Sequence, residues 1–313
     1  MKALERFLTD NNKPLFVILF LMSLMPFVSP AVALFMGLAF ALLAGRPYPK
    51  FSKQVSKYLL QFSVVGLGFG MNLHESLRTG KEGMIFTIVS VVGVLSLGMY
   101  LGRRLLMDRK TSYLISAGTA ICGGSAIAAV APVVKANENE MSMSLGTIFI
   151  LNAIALFIFP PLGHLLGMTQ EQFGMWAAIA IHDTSSVVGA GAAYGEKALE
   201  IATMVKLTRA LWIIPVTIAT MFIFNQKGAK ISIPWFIFFF ILAMIANTFL
   251  PIPDAVSSSM VWLAKKGLTV TLFLIGAGLS RQVIKQVGFR PMVQGVFLWI
   301  FIALLSLGVI MVL

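Results

Sequence analysis

About eleven apolar stretches, each near the length that crosses a bilayer, follow one another along the 313 residues with short polar connections between them. They run 14–29, 30–45, 57–73, 83–102, 111–134, 141–163, 173–194, 200–224, 233–250, 256–280 and 291–313. A lipid-exposed backbone must satisfy its own hydrogen bonds, so such a chain folds as a helix bundle or as a closed barrel. The strict apolar/polar alternation of barrel strands is absent. An all-α polytopic membrane protein with about eleven transmembrane helices is therefore expected. With 58% hydrophobic and 12% charged residues, no polar stretch is long enough to surface a soluble domain, and 1–313 reads as one transmembrane domain.

The basic residues orient it. If the N-terminus is inside and every stretch spans, sixteen Lys and Arg fall in inside loops and six in outside loops, the other two being Lys206 and Arg209. That asymmetry predicts a cytoplasmic N-terminus and an external C-terminus, with ten spans or a re-entrant fifth or seventh stretch as the alternative. The net charge of +12 is then largely topology, with attraction to anionic membrane lipids as a by-product. The charges are scattered among short loops, which argues against nucleic-acid binding. The first thirteen residues are polar and no small-residue cleavage pattern follows, so no removed signal peptide is expected. Cys122 is the one cysteine, which excludes an intramolecular disulfide and a multi-cysteine metal cluster. No HExxH, CxxC, paired-carboxylate or GxxxxGK[ST] pattern occurs, so no metal, cofactor or nucleotide site is expected.

Setting the first stretch aside leaves ten, which alternate as two five-helix units of opposite orientation, 29–163 and 173–313. This is the parity of a 5+5 inverted repeat with an extra N-terminal helix. Sliding the fifth stretch onto the seventh by 61 residues matches Ala117 to Ala178, Ser125 to Ser186, Ala129 to Ala190 and Ala131 to Ala192. Gly66-Leu67-Gly68 and Gly276-Ala277-Gly278 form a second echo.

Three positions carry chemistry. Lys206 and Arg209 lie three apart, on one helix face, inside an apolar run. Cations at that depth face protein, water or an anion, or snorkel to an interface. Arg suits bidentate oxyanion contact and Lys adds a point charge. In the fifth stretch, Cys122-Gly123-Gly124-Ser125 puts paired glycines and a capping serine mid-helix, where the helix is expected to break and restart towards an anion, or else to pack closely on a neighbour. In the seventh, His182-Asp183-Thr184-Ser185-Ser186 holds the one acidic residue deep in any stretch. Because Asp, Thr and Ser are N-cap formers, this stretch is expected to break as well, near Asp183-Ser186, the two breaks facing a common cavity. Asp183 is a candidate for ion coupling or for an ion pair with Lys206 or Arg209, and His182 a candidate proton carrier or a hydrogen-bonded core residue. Pro215 is expected to kink the eighth stretch, while Asn152 and Asn247 are site ligands or interhelix bonds.

Cys122-Gly-Gly-Ser125-Ala-Ile, His182-Asp183, Lys206-Leu-Thr-Arg209 and Gly66-Leu-Gly68-Phe-Gly-Met71 together resemble the bacterial YeiH-like inner-membrane family, conventionally named for sulfate export. The resemblance covers most of the chain. It implies an inner-membrane protein distantly similar to the cation/proton antiporter and bile-acid symporter superfamily, with panel and core domains and crossed, broken helices at the midplane. The expected function is secondary transport of a small anion of the sulfate, sulfonate or carboxylate type, coupled to protons or sodium. Substrate would be held by Cys122, Gly123, Gly124, Ser125, Ser185, Ser186, Lys206 and Arg209, and coupling carried by Asp183 and His182. A homo-oligomer fits this class. A passive anion channel and a membrane-embedded enzyme are the alternatives, the first needing a continuous polar pore and the second a clustered carboxylate set or a nucleophile with its base.

Overall fold

A computed structural model describes residues 11–74, 84–224, 235–278 and 287–312. Among the sequence expectations, Lys2, Arg6, Arg78, Lys81, Lys227, Lys230, Arg281 and Lys285 lie outside the described residues. All regular structure in the described residues is helical. Among the described residues fourteen α-helices follow in order, beginning with α1 (Asn12–Ser23), α2 (Pro30–Leu43), α3 (Pro49–Leu67), α4 (Met84–Arg104), α5 (Arg109–Ala120), α6 (Gly124–Val130) and α7 (Glu138–Leu165). Then come α8 (Gln170–Ala180), α9 (Thr184–Tyr194), α10 (Glu196–Ala210), α11 (Ile213–Ile223), α12 (Trp235–Phe249), α13 (Asp254–Gly278) and α14 (Phe289–Ile310). Five described helical runs are long and apolar enough to cross a membrane, α10 and α11 counting as one, and three shorter apolar helices join them.

Local sequence sets the boundaries. Asp108 caps α5 by accepting from the Lys110 and Thr111 amides, while Asn137 and Glu140 form a capping box on α7 and Thr169 and Gln172 form one on α8. Between α10 and α11 the hydrogen bonding tightens, with Trp212 N bonded to Arg209 O at 3.0 Å and Ile214 N to Leu211 O at 3.1 Å. Pro215 has no N–H to offer, so the helical bond to the Leu211 carbonyl is missing at this turn.

The helices pack as two groups. In one, α13 lies along α2 and α3, with α12 on α3 and α1 on α2. Gly37 and Gly276 let α2 and α13 touch backbone to backbone, since a Cβ on Gly37 would collide with the Phe273 carbonyl. Close packing is thus the role of Gly276 in the second glycine echo. The other group gathers α4, α5, α7, α8, α10 and α14. The helix α9 joins the groups, packing on α10 and α7 as well as on α2 and α13.

The fifth and seventh stretches break where their glycine and capping residues predict, over 121–123 and 181–183. The expectation that every stretch spans, however, is corrected. Lys110, at the start of α5, donates through Nζ to the carbonyl of Lys135, beyond the end of α6, at 2.9 Å. A straight helical path between those residues would separate them by roughly 35 Å. Likewise the Tyr194 hydroxyl, ending α9, donates to Met168 O at 2.6 Å, and Gln170 Oε1, opening α8, accepts from Lys197 N at 3.0 Å. Both segments are hairpins that go in and come back. Hydropathy missed this because it measures apolar length and is blind to direction.

The helix α7 connects the two hairpin bases. Its Ser144 bonds Thr111 O at 3.4 Å near one end, and its His164 stacks on Tyr194 at 4.2 Å near the other. The hairpins therefore enter from opposite ends of the molecule. Their entering helices have 12 and 11 residues, about 18 and 16 Å, which together are just enough to cross the ~30 Å of a bilayer core.

The 61-residue slide registers these hairpins: it carries Arg109 onto Gln170, the first residues of α5 and α8, and aligns the breaks within one residue. Pairing the five-helix units in chain order instead sets each hairpin against an unbroken helix, α13 or α2.

Candidate functional site

The hairpin tips meet. Gly123 takes φ +66° and ψ −124°, a backbone region that side chains avoid, and a Cβ there would stand 3.3 Å from both N and Cα of Asp183. Glycine at 123 therefore permits both the turn and the contact.

The tip of the second hairpin is built from side chains. Asp183 caps α9, its carboxylate accepting from the Ser185 amide at 3.1 Å and from the Ser185 hydroxyl. Asn152, midway along α7, accepts through Oδ1 from the amides of His182 at 3.1 Å and Asp183 at 3.2 Å. One side-chain oxygen thus satisfies two backbone donors that the break would otherwise leave bare. Asp183 is half-buried, while His182, Thr184, Ser185 and Ser186 are buried.

Lys206 and Arg209 are both 0% exposed, which overturns snorkelling. Neither forms an ion pair with Asp183 among the described residues. Each closes the carbonyl end of one entering helix instead. Lys206 Nζ donates to Ile181 O at 2.7 Å and to Ala178 O at 3.2 Å, at the end of α8. Arg209 donates through one terminal nitrogen to Ala120 O at 2.6 Å, at the end of α5, and through the other to Ser90 Oγ at 3.3 Å. A cation at a helix C-terminus satisfies orphan carbonyls and opposes the negative end of the helix dipole. Spaced three positions apart on one face of α10, the two cations reach one tip each.

Hydrogen-bonding capacity is left over. The Asn152 amide nitrogen, both ring nitrogens of His182, Arg209 Nε and Thr119 Oγ1 are buried without a protein partner. Buried polar atoms are rarely left bare, so several at two touching tips mark a place built to receive something polar. Cys122 is buried at the first tip, Gly124 is half-buried, and Ser125 is exposed on α6 without capping any helix. The structure thus gathers Cys122, Gly123, His182, Asp183, Ser185, Lys206 and Arg209 at the two tips. Ser90 was passed over in the sequence, its one signal being a polar residue in an apolar run. Asn152 was visible as a lone amide mid-helix, but its capping role was not.

A separate cavity of about 770 Å³ lies between the helix groups at the end where α10 begins. Met71, Glu196, Thr203, Asn247, Asp254 and Lys265 are among its walls. Its deepest residue on α10, Thr203, is one helical turn from Lys206. At its rim Lys265 of α13 pairs with Glu196 of α10 at 2.6 Å, joining the two groups. The two breaks are expected from the sequence to face a common cavity; this space is lined by residues of neither break, and the two tips touch each other.

Over residues 13–295 the chain matches the family model described as "Conserved hypothetical protein 698". It is 65% identical over 286 residues to a UPF0324 membrane protein of Bacteroides thetaiotaomicron, covering 90% of this chain and 86% of that one. The chain belongs to this family of membrane proteins. Other UPF0324 relatives are those of Porphyromonas gingivalis, 60% identical over 91% of this chain and 89% of theirs, and of Bdellovibrio bacteriovorus, 48% identical over 97% and 95%. No solved structure matches. With its apolar helices, this UPF0324 member is a multi-pass membrane protein.

Proposed function

We propose that this protein is a secondary active transporter of a small anion, with the substrate bound where the hairpin tips meet. The observation that carries the reading is the pair of opposed hairpins whose touching tips hold two buried cations, one carboxylate and unfilled donors. Transporter sites are typically formed where broken helices expose backbone and charge near the bilayer midplane. Excess positive charge in a dry site favours an anion. A passive channel would need an open polar path, whereas His182, Lys206 and Arg209 are sealed. Asp183, the one half-buried charge at the tips, is the group we assign to coupling, with His182 beside it. The cavity beside α10 is the access route from one face, and movement of the two helix groups relative to each other would open the last turn to Lys206.

We place the protein in the bacterial inner membrane with its N-terminus in the cytoplasm. The hairpins support that orientation, because turning the first one back moves Lys135 to the inside and changes sixteen against six into seventeen against five. Uptake and counterflow in proteoliposomes, with and without a pH or sodium gradient, test the reading. Gradient-driven accumulation of a small anion that Asp183→Asn uncouples is expected. Anion flux that runs only down its gradient and never accumulates would assign a channel instead.

A further inference from the structure

We infer that the ligand accepted at the hairpin tips is a small monovalent oxyanion, of the formate, bicarbonate or nitrate kind, and not a dianion such as sulfate. This rests on the transporter reading of the same site and adds the charge and shape of what it takes.

The argument is a charge count in a buried place. Among the described residues, the ionic groups at the tips are Lys206, Arg209 and Asp183, two positive and one negative. Backbone partial charges do not alter the count, since each tip brings together one helix C-terminus and one N-terminus. An imidazole buried with two cations and no acceptor on either nitrogen adds no third charge. The site therefore holds one positive charge in excess. An uncompensated buried charge is costly, so a ligand of charge −1 brings the site to neutrality and a ligand of charge −2 recreates the cost with the sign reversed.

The unfilled donors agree with a small oxyanion. Arg209 Nε, the Asn152 amide nitrogen, one His182 ring N–H and the Thr119 hydroxyl are what remains after the cations have closed the helix ends. They can serve the oxygens of an anion of three or four heavy atoms. The Lys206 ammonium keeps one proton beyond the two it gives to Ala178 O and Ile181 O.

The test reads thermal stability of the purified full-length protein in formate, nitrate, bicarbonate or sulfate at constant pH and ionic strength, since a ligand bound only by the folded state raises its melting temperature. At least one monovalent oxyanion is expected to stabilise the native protein at a concentration about tenfold or more below any sulfate effect. Two substitutions move the count in opposite directions. Asp183→Asn keeps an oxygen for the Ser185 amide and raises the excess to two, so sulfate should become the preferred ligand. Asn152→Asp keeps an oxygen for the two amides of the second tip and cancels the excess, so stabilisation by the monovalent anion should disappear. Sulfate stabilising the native protein as well as or better than the monovalent anions would overturn the inference and leave the transporter reading standing. No stabilisation by any anion, joined to no anion uptake in vesicles, would overturn both. The native comparison decides even if a variant folds poorly.

Discussion

The hairpin of α5 and α6 turns on a glycine, whereas the hairpin of α8 and α9 turns on side chains. Gly123 makes the first tip with its left-handed backbone, and the helix that follows has seven residues and no side-chain cap. Asp183 caps the second, Asn152 braces it, and the returning helix has eleven residues. One tip supplies close approach and the other supplies charge. Two tips of the first kind would touch with nothing to bind, and two of the second kind would be held apart by their own side chains.

The largest expected effect is all-or-none. If both hairpins turn back, α7 runs the opposite way from an eleven-span chain, so the two loops flanking it exchange sides. With Cys122→Ser as background, Asn139→Cys should resist an impermeant maleimide in intact cells and react after permeabilisation, while Glu171→Cys should react in intact cells. The reverse pattern would restore eleven spans and end the comparison of hairpins.

The next effect separates backbone from side chain at the first tip. Gly123→Ala places a Cβ in a disfavoured region and 3.3 Å from the Asp183 backbone, which cannot yield. A loss of about 1–3 kcal/mol from strain alone is expected, seen as a lowered melting temperature and poor yield. Gly124→Ala meets only the Phe149 and Leu145 side chains, at 3.2 Å and beyond, which can shift. Equal melting temperatures for the two variants would mean that Gly123 is not the hinge of the contact.

A smaller difference separates the caps. Asp183→Ala removes the cap of α9 and should cost about 1 kcal/mol, whereas Ser125→Ala removes no cap and should cost nothing measurable. Hydrogen exchange localised to each returning helix reads both. Faster exchange in α6 of the serine variant would give the first tip a side-chain cap after all.

How far the sequence could be read follows the same division. Both breaks were legible, because Gly-Gly and Asp-Thr-Ser-Ser are local signals of a helix that ends and restarts. Re-entry was open only as an alternative to spanning, since it depends on Lys110 finding Lys135 and Tyr194 finding Met168, and neither contact leaves a mark in periodicity or hydropathy. The depth of Lys206 and Arg209 was legible from the surrounding apolar run. Their partners were not: ion pairing, snorkelling and anion contact all suit a buried cation, and the carbonyl ends of α5 and α8 become candidates only once those helices are known to stop beside α10. Asn152 teaches the same point, as its partners are backbone amides about thirty residues away.

The smallest effect concerns the hairpin bases. The second base is tied towards the other helix group, because Glu196, next to the Gln170–Lys197 bond, pairs with Lys265 of α13; the first base is closed by Lys110 on the Lys135 carbonyl. The hydrogen bond and charge of Lys265 hold the Glu196 carboxyl below its usual range. A depressed carboxylate pKa contributes stability that is present above the ordinary value of about 4.3 and is lost as pH falls through the lower folded value. Glu196 is 89% exposed, so solvent screens the pair and little of the shift reaches stability. Glu196→Gln should therefore move the melting temperature at pH 7 by about a degree or less, with the difference from native closing at low pH. Its effect should appear in motion instead: with the link between α13 and α10 gone, Thr203→Cys at the floor of the cavity should react faster with a soluble maleimide than in the Glu196 parent. Glu200→Gln, which breaks only the pair with Lys197 within α10, should leave that rate unchanged. Equal acceleration by both would reduce the Lys265 pair to one surface charge among several, and the second base would be no more tethered than the first.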